Sequence, residues 1–326
     1  MGAGEAVTSR RVLRVGTRTS RLAQIQTDLF IQAALARQPD LDFEIVGIQT
    51  MGDRRSTSPI PDLGQGVFVK EIQIALALNE IDFAVHSLKD LPTRLPPGHT
   101  LAGVMPRADP RDVLVTRDGL GLDELPSGAR VGTGSIRRAA QIRARRPDLS
   151  IVLLRGNVDT RVRRVTGQGR RSEAECAVLA AVGLLRLGIG DAITEYLEPD
   201  IMLPAVGQGF IGIECREGDE EACAVAALTE DPVHRIAADA ERAFLNAVGG
   251  FCRTPLACLA TVQGDELSIE GLAATADGAV VLRESLGVHL STPVEQVGQR
   301  LLDALNRRGA ADLIILDDAD DAPGDE

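Results

Sequence analysis

Apolar residues near the start of the chain follow first the spacing of a strand and then that of a helix. RVLRV (11–15) alternates as a half-buried strand does, and GTRTS (16–20) is a polar, glycine-containing turn. A helix over 21–37 is predicted next, because apolar side chains repeat there every three or four residues: Leu22, Ile25, Leu29 and Ala33. The pattern is strand, turn, helix.

The same order returns in the middle of the chain. ARV (129–131) leads into GTGS (132–135), and IRRAAQIRARR then runs as a helix until Pro147 stops it. The tetrapeptide RVGT occurs in both places, at 14–17 and at 130–133. The shared context predicts two similar α/β lobes.

Further strand and helix patterns alternate between and after these two segments. We expect a helix over 66–78 and strand-like runs over 82–87, 150–157 and 175–181. Such alternation is typical of sheets that are mostly parallel. Ligands of such sheets bind at the carboxyl ends of the strands, beside helix N-termini.

The pattern changes at about residue 222. An alanine-rich helical region is followed by three strand-like segments, LACLATVQ, ELSIEGLAAT and AVVLRESLG, and by a last helix containing LLDALNRRG. We expect a third, smaller α+β domain over 222–316. The acidic tail over 317–326 is predicted to be disordered.

Composition narrows the possible functions. Net charge is -12, aromatic residues make up 2% of the chain, and Trp is absent, which argues against a nucleic-acid-binding protein. The N-terminus shows no apolar signal segment, and no apolar run approaches the roughly 18 residues of a membrane span. We therefore expect a cytoplasmic protein without membrane contact.

The five cysteines do not form an obvious pattern. Their number is odd, and no Cys or His pair has the spacing of a zinc site, so we expect neither a disulfide framework nor a metal. Cys176, Cys215 and Cys223 are predicted to be small buried residues. Core packing and a chemical role both remain open for Cys252 and Cys258.

Arginines are concentrated in one region of this acidic chain. Residues 130–171 contain twelve arginines and two acids. Arg137 and Arg138 begin a helix, where a cation opposes the helix dipole, so an anion is expected beside them. Arg18 with Ser20, and Arg155 with Arg161, occupy similar places after other strands. The expected ligand carries several carboxylates or phosphates and lies between the two lobes.

One acid stands at the same predicted strand ends. HSLKDLP (86–92) closes a short apolar strand and places Lys89 and Asp90 at the mouth between the lobes. A loop ion pair or a helix cap is one interpretation of Asp90. A carboxylate that faces a cationic intermediate is the other. At about 4 Å and an effective dielectric of about 20, such a contact is worth about 4 kcal/mol.

A set of ordered motifs resembles the porphobilinogen deaminase family, also called hydroxymethylbilane synthases. The motifs run from about residue 11 to about 260 and include VGTRTSRLA, GVFVKE, FAVHSLKDLP, VGTGSIRR, LRGNVDTRV, LPAVGQG and ERAFLNAVGGFCRTPLA. The resemblance implies a transferase that joins four porphobilinogen molecules head to tail, with release of ammonia, into the linear tetrapyrrole hydroxymethylbilane. Porphobilinogen is then the expected small-molecule partner, and we expect a monomer that binds no nucleic acid.

The resemblance further implies a covalent cofactor and a fold. The cofactor is a dipyrromethane linked by a thioether to one cysteine, which by position is Cys252. The fold is two lobes like those of type II periplasmic binding proteins, with mixed, mostly parallel sheets, plus a small α+β C-terminal domain. The first lobe is implied to be discontinuous, over 1–105 and 200–218, and the second covers 106–199.

Site residues carried over from the family follow its motifs. Asp90 is the implied catalytic acid. Besides Cys252, the implied cofactor-binding residues are Lys70, Ser87, Lys89, Thr133, Ser135, Arg137, Arg138 and Arg161. The implied substrate-binding residues are Arg18, Ser20, Arg155, Arg186 and Gln208.

Three positions depart from the family pattern. Gln65 stands where a Lys is common, Gly134 where a Ser is common, and Phe251 where the residue is usually small. Phe251 keeps open the alternative of a degenerate paralogue that cannot mount the cofactor. A small-anion binding module on the same two-lobed scaffold is a further alternative, but it would need neither Asp90 nor Cys252.

Overall fold

A computed structural model describes residues 11–50, 69–167, 174–250 and 254–314. Three β-sheets organise these residues. The first two sheets belong to the two lobes, and the third belongs to the C-terminal region.

The first sheet has five strands in the spatial order β2-β1-β3-β10-β4. The strands are β1 (Leu13–Arg18), β2 (Phe43–Ile48), β3 (Phe83–Ser87), β4 (His99–Val104) and β10 (Ile211–Arg216). The last of these arrives from far along the chain, after the whole second sheet.

The second sheet has the order β7-β6-β8-β5-β9. Its strands are β5 (Asp112–Thr116), β6 (Arg130–Gly132), β7 (Ser150–Val152), β8 (Cys176–Ala180) and β9 (Glu195–Leu197).

The two sheets repeat one pattern of pairing. In each, the second strand of the spatial order (β1 or β6) runs parallel to both of its neighbours, and the other two pairings are antiparallel. The RVGT repeat occupies β1 and β6, so the prediction of two similar α/β lobes is confirmed. The sheets are mixed as expected, but among the described strands parallel pairs do not outnumber antiparallel ones. Each lobe receives an antiparallel strand across the lobe junction, β10 in one and β5 in the other.

Helices cover the sheets and form much of the C-terminal region. They are α1 (Arg21–Arg37), α2 (Lys70–Ala77), α3 (Ile136–Arg145), α4 (Val158–Thr166), α5 (Ala181–Arg186), α6 (Glu220–Ala227), α7 (Pro232–Ala247) and α8 (Val294–Asn306). The predicted helix over 21–37 matches α1. The predicted helix over 66–78 is described from Lys70 onward as α2.

The third sheet is an antiparallel meander in the order β11-β12-β13. Its strands are β11 (Leu256–Gln263), β12 (Glu266–Ala274) and β13 (Val281–His289). Helices α7 and α8 pack on it through buried apolar side chains, among them Phe244, Leu301 and Leu305. The predicted small α+β unit is confirmed.

The predicted boundary at residue 222 falls inside α6. Ala222, Val225 and Ala226 of this helix are buried in one cluster with Val85 and Ile213 of the first sheet. The helix therefore packs on the first lobe. The division of the chain into three domains stays a prediction.

A buried ion pair joins the C-terminal region to the junction between the lobes. Arg107, in the link between β4 and β5, donates from Nη1 to Glu241 Oε1 of α7 at 2.7 Å. The other carboxylate oxygen accepts from the Gly207 N–H at 2.7 Å, and Oε1 also accepts from the Ala260 N–H at 2.8 Å. Burial raises the pKa of Glu241 although Arg107 opposes this. Removal of either partner would leave a buried charge uncompensated.

The C-terminal region also contacts the second lobe. Arg143 of α3 donates to the Ala276 carbonyl at 2.7 Å, in the hairpin between β12 and β13. At Gly278 in the same hairpin, a Cβ atom would lie 2.4 Å from the Ala140 carbonyl oxygen. The hairpin and α3 are thus in direct backbone contact.

No helix of the described residues has the length and apolarity that a bilayer crossing needs. No group of three or more His, Cys, Asp and Glu side chains there is arranged to hold a metal ion.

Gly278→Ala is expected to lower the free energy of unfolding more than Gly264→Ala does. Both glycines have positive φ, +73° and +58°, so both variants lose about 1–2 kcal/mol from backbone strain. Only Gly278 also faces α3, and overpacking there should cost about 1–3 kcal/mol more. Urea unfolding of the two variants measures the difference. Equal losses of unfolding free energy in the two variants would show that the hairpin does not pack against α3.

Candidate functional site

A cleft of about 850 Å³ opens between the first and second sheets, at the loops that follow their strands. Residues after β1, β3, β6, β7 and β8 line it, as expected for carboxyl ends of strands. Its walls therefore come from both lobes. The cleft is where the predicted anion should bind.

The repeated turns place one serine from each lobe in the cleft wall. Ser20 caps α1 by accepting from the Ala23 N–H at 3.4 Å, and Ser135 caps α3 by accepting from the Arg138 N–H at 3.4 Å. Serine is a favoured N-cap because its oxygen satisfies a free N–H of the first turn. The caps fix two equivalent hydroxyls facing one ligand space.

Asp90 lies in a single 3₁₀ turn, Leu88–Asp90, that follows β3. The turn is anchored by Leu88, which is buried and donates its N–H to the Phe210 carbonyl at 3.1 Å. Asp90 itself lines the cleft, and no side chain or N–H of the described residues donates a hydrogen bond to its carboxylate. As far as the described residues go, its acceptor oxygens are available to a ligand.

Lys89 is the other functional group of this turn. Its Nζ lies 3.3 Å from Gln208 Oε1, and burial lowers the pKa of Lys89 to about 8, although Asp90 favours the charged form. A bound carboxylate would raise this pKa again, because an opposite charge stabilises the ammonium. Lys89 is also one of only two lysines in the chain, the other being Lys70.

A buried carboxylate organises the wall behind Lys89. Asp112, the first residue of β5, accepts from Arg137 Nη1 at 2.7 Å, from Arg138 Nη2 at 2.7 Å and from Gln208 Nε2 at 3.0 Å. Burial alone would raise the pKa of Asp112, but the two arginines hold it well below its usual range. Arg137 and Arg138 are thus not loose surface charges.

Two further arginines of the cleft are partly withdrawn from water. Burial lowers the pKa of Arg161 and of Arg186 to about 10 each. Arg161 donates to the Gly156 carbonyl at 2.6 Å, and Arg186 reaches across the lobes to the Gly209 carbonyl at 2.9 Å. A desolvated guanidinium gains more from an incoming anion than an exposed one does.

The balance of charge in the cleft is strongly positive. Asp90 and Asp159 are the carboxylates among its lining residues. The lysine and arginine side chains among them are Arg18, Arg21, Lys89, Arg138, Arg155, Arg161 and Arg186. The arrangement suits a ligand with several carboxylates and one region of positive charge near Asp90.

Most of the predicted site residues meet in this cleft. Those among its lining residues are Arg18, Ser20, Ser87, Lys89, Asp90, Ser135, Arg138, Arg155, Arg161 and Arg186. Four others are not: Lys70, Thr133, Arg137 and Gln208. Lys70 is exposed at the start of α2, and the other three are buried behind the wall.

The structure also reveals residues that the sequence analysis did not identify. The sequence around Asp112 shows only an acidic residue at the start of an apolar strand. It does not indicate the role of Asp112, because the partners of this carboxylate lie far along the chain. Gln26 of α1 is buried, lines the cleft and donates to Ser87 Oγ at 2.9 Å. Its only signal was a polar residue on the apolar face of a predicted helix.

Cys252 lies outside the described residues, as do Gln65, Phe251 and the tail over 317–326. Cys258 is described: it is fully buried in β11, and burial raises its pKa well above the usual thiol range. Of the two interpretations left open for Cys258, core packing is the one that its position supports. At Gly134, a Cβ atom would meet its nearest neighbour at 3.5 Å, so the backbone there leaves room for a serine.

Comparisons with known proteins show a consistent family. A family model described as "Porphobilinogen deaminase, dipyromethane cofactor binding domain" matches residues 13–224, and "Porphobilinogen deaminase, C-terminal domain" matches residues 236–307. A porphobilinogen deaminase of Roseiflexus castenholzii is 50% identical, over 83% of this chain and 89% of that protein. One of Bacillus subtilis is 42% identical, over 93% and 96%.

The solved structures that match this chain have much lower sequence identity. The methionine binding protein MetQ is 15% identical with a TM-score of 0.41, over 67% of this chain and 89% of that one. The periplasmic aliphatic sulphonate binding protein SsuA from Escherichia coli is 13% identical with a TM-score of 0.37, over 73% and 71%.

Lys89 should lose its proton between pH 7 and pH 9, with a midpoint near pH 8 when no anion is bound. NMR of protein carrying ¹³C-labelled lysine can follow this, because the chain contributes only two lysine signals. Lys89→Arg assigns the signal by deleting it, and Lys70 serves as the internal reference. A Lys89 signal that stays fully protonated up to pH 9 would contradict the burial argument.

Proposed function

Because the chain belongs to the porphobilinogen deaminase family, we propose that it joins four porphobilinogen molecules head to tail into hydroxymethylbilane. Each step forms a carbon–carbon bond between pyrroles, breaks the bond to the substrate's amino group and releases ammonia. The observation that carries the proposal is the Asp90 carboxylate, which accepts no hydrogen bond from the described residues, in a cleft with seven cationic side chains.

The cleft suits the dipyrromethane cofactor of this family. The cofactor consists of two porphobilinogen units and so carries four carboxylates, which match a lining rich in Arg and Lys. Ser87, Lys89, Ser135, Arg138 and Arg161 would hold those carboxylates. When bound, the group supplies the pyrrole carbon at which the chain is extended.

Asp90 is proposed as the catalytic acid. Positive charge develops on the substrate as its amino group leaves, and a fixed carboxylate nearby stabilises that charge. With an effective dielectric of about 20, a separation of about 4 Å gives about 4 kcal/mol, or a rate factor on the order of a thousand. The carboxylate can also accept the proton that the attacking pyrrole carbon loses once the new carbon–carbon bond has formed.

The remaining predicted residues divide into ligand contacts and supports. Arg18, Ser20, Arg155 and Arg186 line the cleft and are proposed to bind the carboxylates of the incoming substrate. Gln208 is proposed to hold Lys89, with which it shares a hydrogen bond. Three predicted cofactor-binding residues that do not line the cleft are proposed to support the residues that hold the cofactor. They are Lys70, Thr133 and Arg137.

We also infer that the enzyme is a cytoplasmic monomer. The monomer is the state that the resemblance to the family leads us to expect. Cys176, Cys215, Cys223 and Cys258 are free thiols, as in a reducing compartment.

Asp90→Asn should fold, carry the cofactor and bind substrate, yet lose about 10²–10³-fold in kcat, because the amide cannot neutralise the developing charge. Steady-state kinetics on protein with its cofactor mass verified measures this. Asp159→Asn is the matched control, since Asp159 is the other carboxylate of the lining. Wild-type turnover by Asp90→Asn would remove Asp90 from the mechanism.

The intact mass of the purified chain should exceed the sequence mass by two pyrrole units, attached at Cys252. Cys252→Ser should abolish the excess mass that survives denaturation, because no thioether can form. Cys258→Ser should keep it, since Cys258 is buried in β11. A bare wild-type chain, made in cells with ample porphobilinogen, would instead support the degenerate paralogue.

A further inference from the structure

One face of α7 and the turn after it contact the residues that follow Asp90. Arg242 and Asn246 are spaced by four residues in α7, so they lie on one side of the helix, and Gly250 follows in the turn after it. Both side chains make hydrogen bonds with the segment 91–94, and Gly250 lies next to Thr93. The C-terminal region thus meets the chain directly beside the catalytic turn.

Arg242 makes the densest of these contacts. Its guanidinium donates to three consecutive main-chain carbonyls, those of Leu91 at 3.3 Å, Pro92 at 2.9 Å and Thr93 at 3.1 Å. Among the described residues, no carboxylate lies within ion-pair distance of it. Burial lowers the pKa of Arg242. A planar group with several donors is well suited to gathering carbonyl dipoles that would otherwise be unsatisfied.

Two further contacts hold the segment around Asp90 and Thr93 in place. Leu88 and Leu91, on either side of Lys89 and Asp90, are buried in one cluster with Phe244 and Val248 of the α7 region. Gly250 has a φ of +81°, and a Cβ atom there would lie 3.3 Å from Thr93 Oγ1. The polypeptide that leads toward Cys252 therefore passes against Thr93.

We propose that Arg242 is a positioning residue for the condensation reaction, acting on Asp90 through the carbonyls of Leu91, Pro92 and Thr93. In this role Arg242 fixes the position of the Asp90 carboxylate relative to the segment that carries the cofactor. The inference rests on the proposed role of Asp90. A proton-transferring carboxylate works only within hydrogen-bond reach of its target, so a shift of about 1 Å in this turn would reduce turnover.

Arg242→Met tests the proposal, because it keeps apolar bulk and removes the donors. We expect the cofactor mass to stay at wild type and the holoenzyme to remain folded, with a melting temperature lowered by several degrees because three carbonyls lose their donor. The KM for porphobilinogen should change less than about threefold, while kcat falls about 10–100-fold. Arg242→Lys, which keeps a cation and donors, should recover part of kcat.

Arg94→Met is the matched control. Arg94 donates to Asn246 at 3.0 Å, so it bridges the same two segments without touching the three carbonyls. Its kcat should stay within about twofold of wild type. An equal loss in Arg94→Met and Arg242→Met would overturn the proposal, as would a wild-type kcat in Arg242→Met.

A double variant separates this proposal from the role of Asp90. If Arg242 acts through Asp90, Asp90→Asn with Arg242→Met should turn over no more slowly than Asp90→Asn alone. Additive losses would overturn the positioning role of Arg242 while leaving Asp90 in place. Wild-type activity in Asp90→Asn would instead overturn the role of Asp90, whatever Arg242→Met shows.

Discussion

The geometry of the cleft depends on a single buried carboxylate, Asp112. It accepts hydrogen bonds from Arg137 and Arg138 of α3 and from Gln208, and Gln208 in turn accepts from Lys89. One side chain thus connects the second lobe, the segment that crosses between the lobes, and the turn that bears Asp90. Without it, two buried guanidinium groups would lose their counter-charge, at a cost of several kcal/mol. A buried hydrogen-bond network of this kind holds the side chains of Arg137 and Arg138 in a single arrangement.

The cleft and the rest of the surface have opposite charge. The whole chain carries -12, whereas the cleft lining has seven Lys or Arg side chains and two acids. Salt screens charges that lie farther apart than about one Debye length, roughly 8 Å at physiological salt, so a polycarboxylate is attracted only close to the cleft. Carboxylate-bearing ligands should therefore bind in the cleft in preference to the acidic remainder of the surface.

The sequence predicted those parts of the molecule that are encoded locally. The RVGT repeat located two equivalent strand–turn–helix units, and the serines after them proved to be paired caps in the cleft. Asp112 and Gln26 could not be found this way, because their partners come from other elements. The expectation that most strand pairs are parallel was wrong for a similar reason. Strands β5 and β10 enter their sheets from across the lobe junction and pair with their neighbours in antiparallel fashion. Arg137, singled out with Arg138 for one anion, is buried against Asp112 instead.

The return of β10 to the first sheet also dictates an order of assembly. Its Ile213 pairs with Val85 of β3, and β4 has no other neighbour among the described strands. During synthesis the ribosome therefore delivers the whole second lobe before the first can close. Until then β3 presents an open edge, and β4 has no strand to join, which is the state in which sheet proteins aggregate. Nascent chains of this protein are at greatest risk while the second lobe is being made.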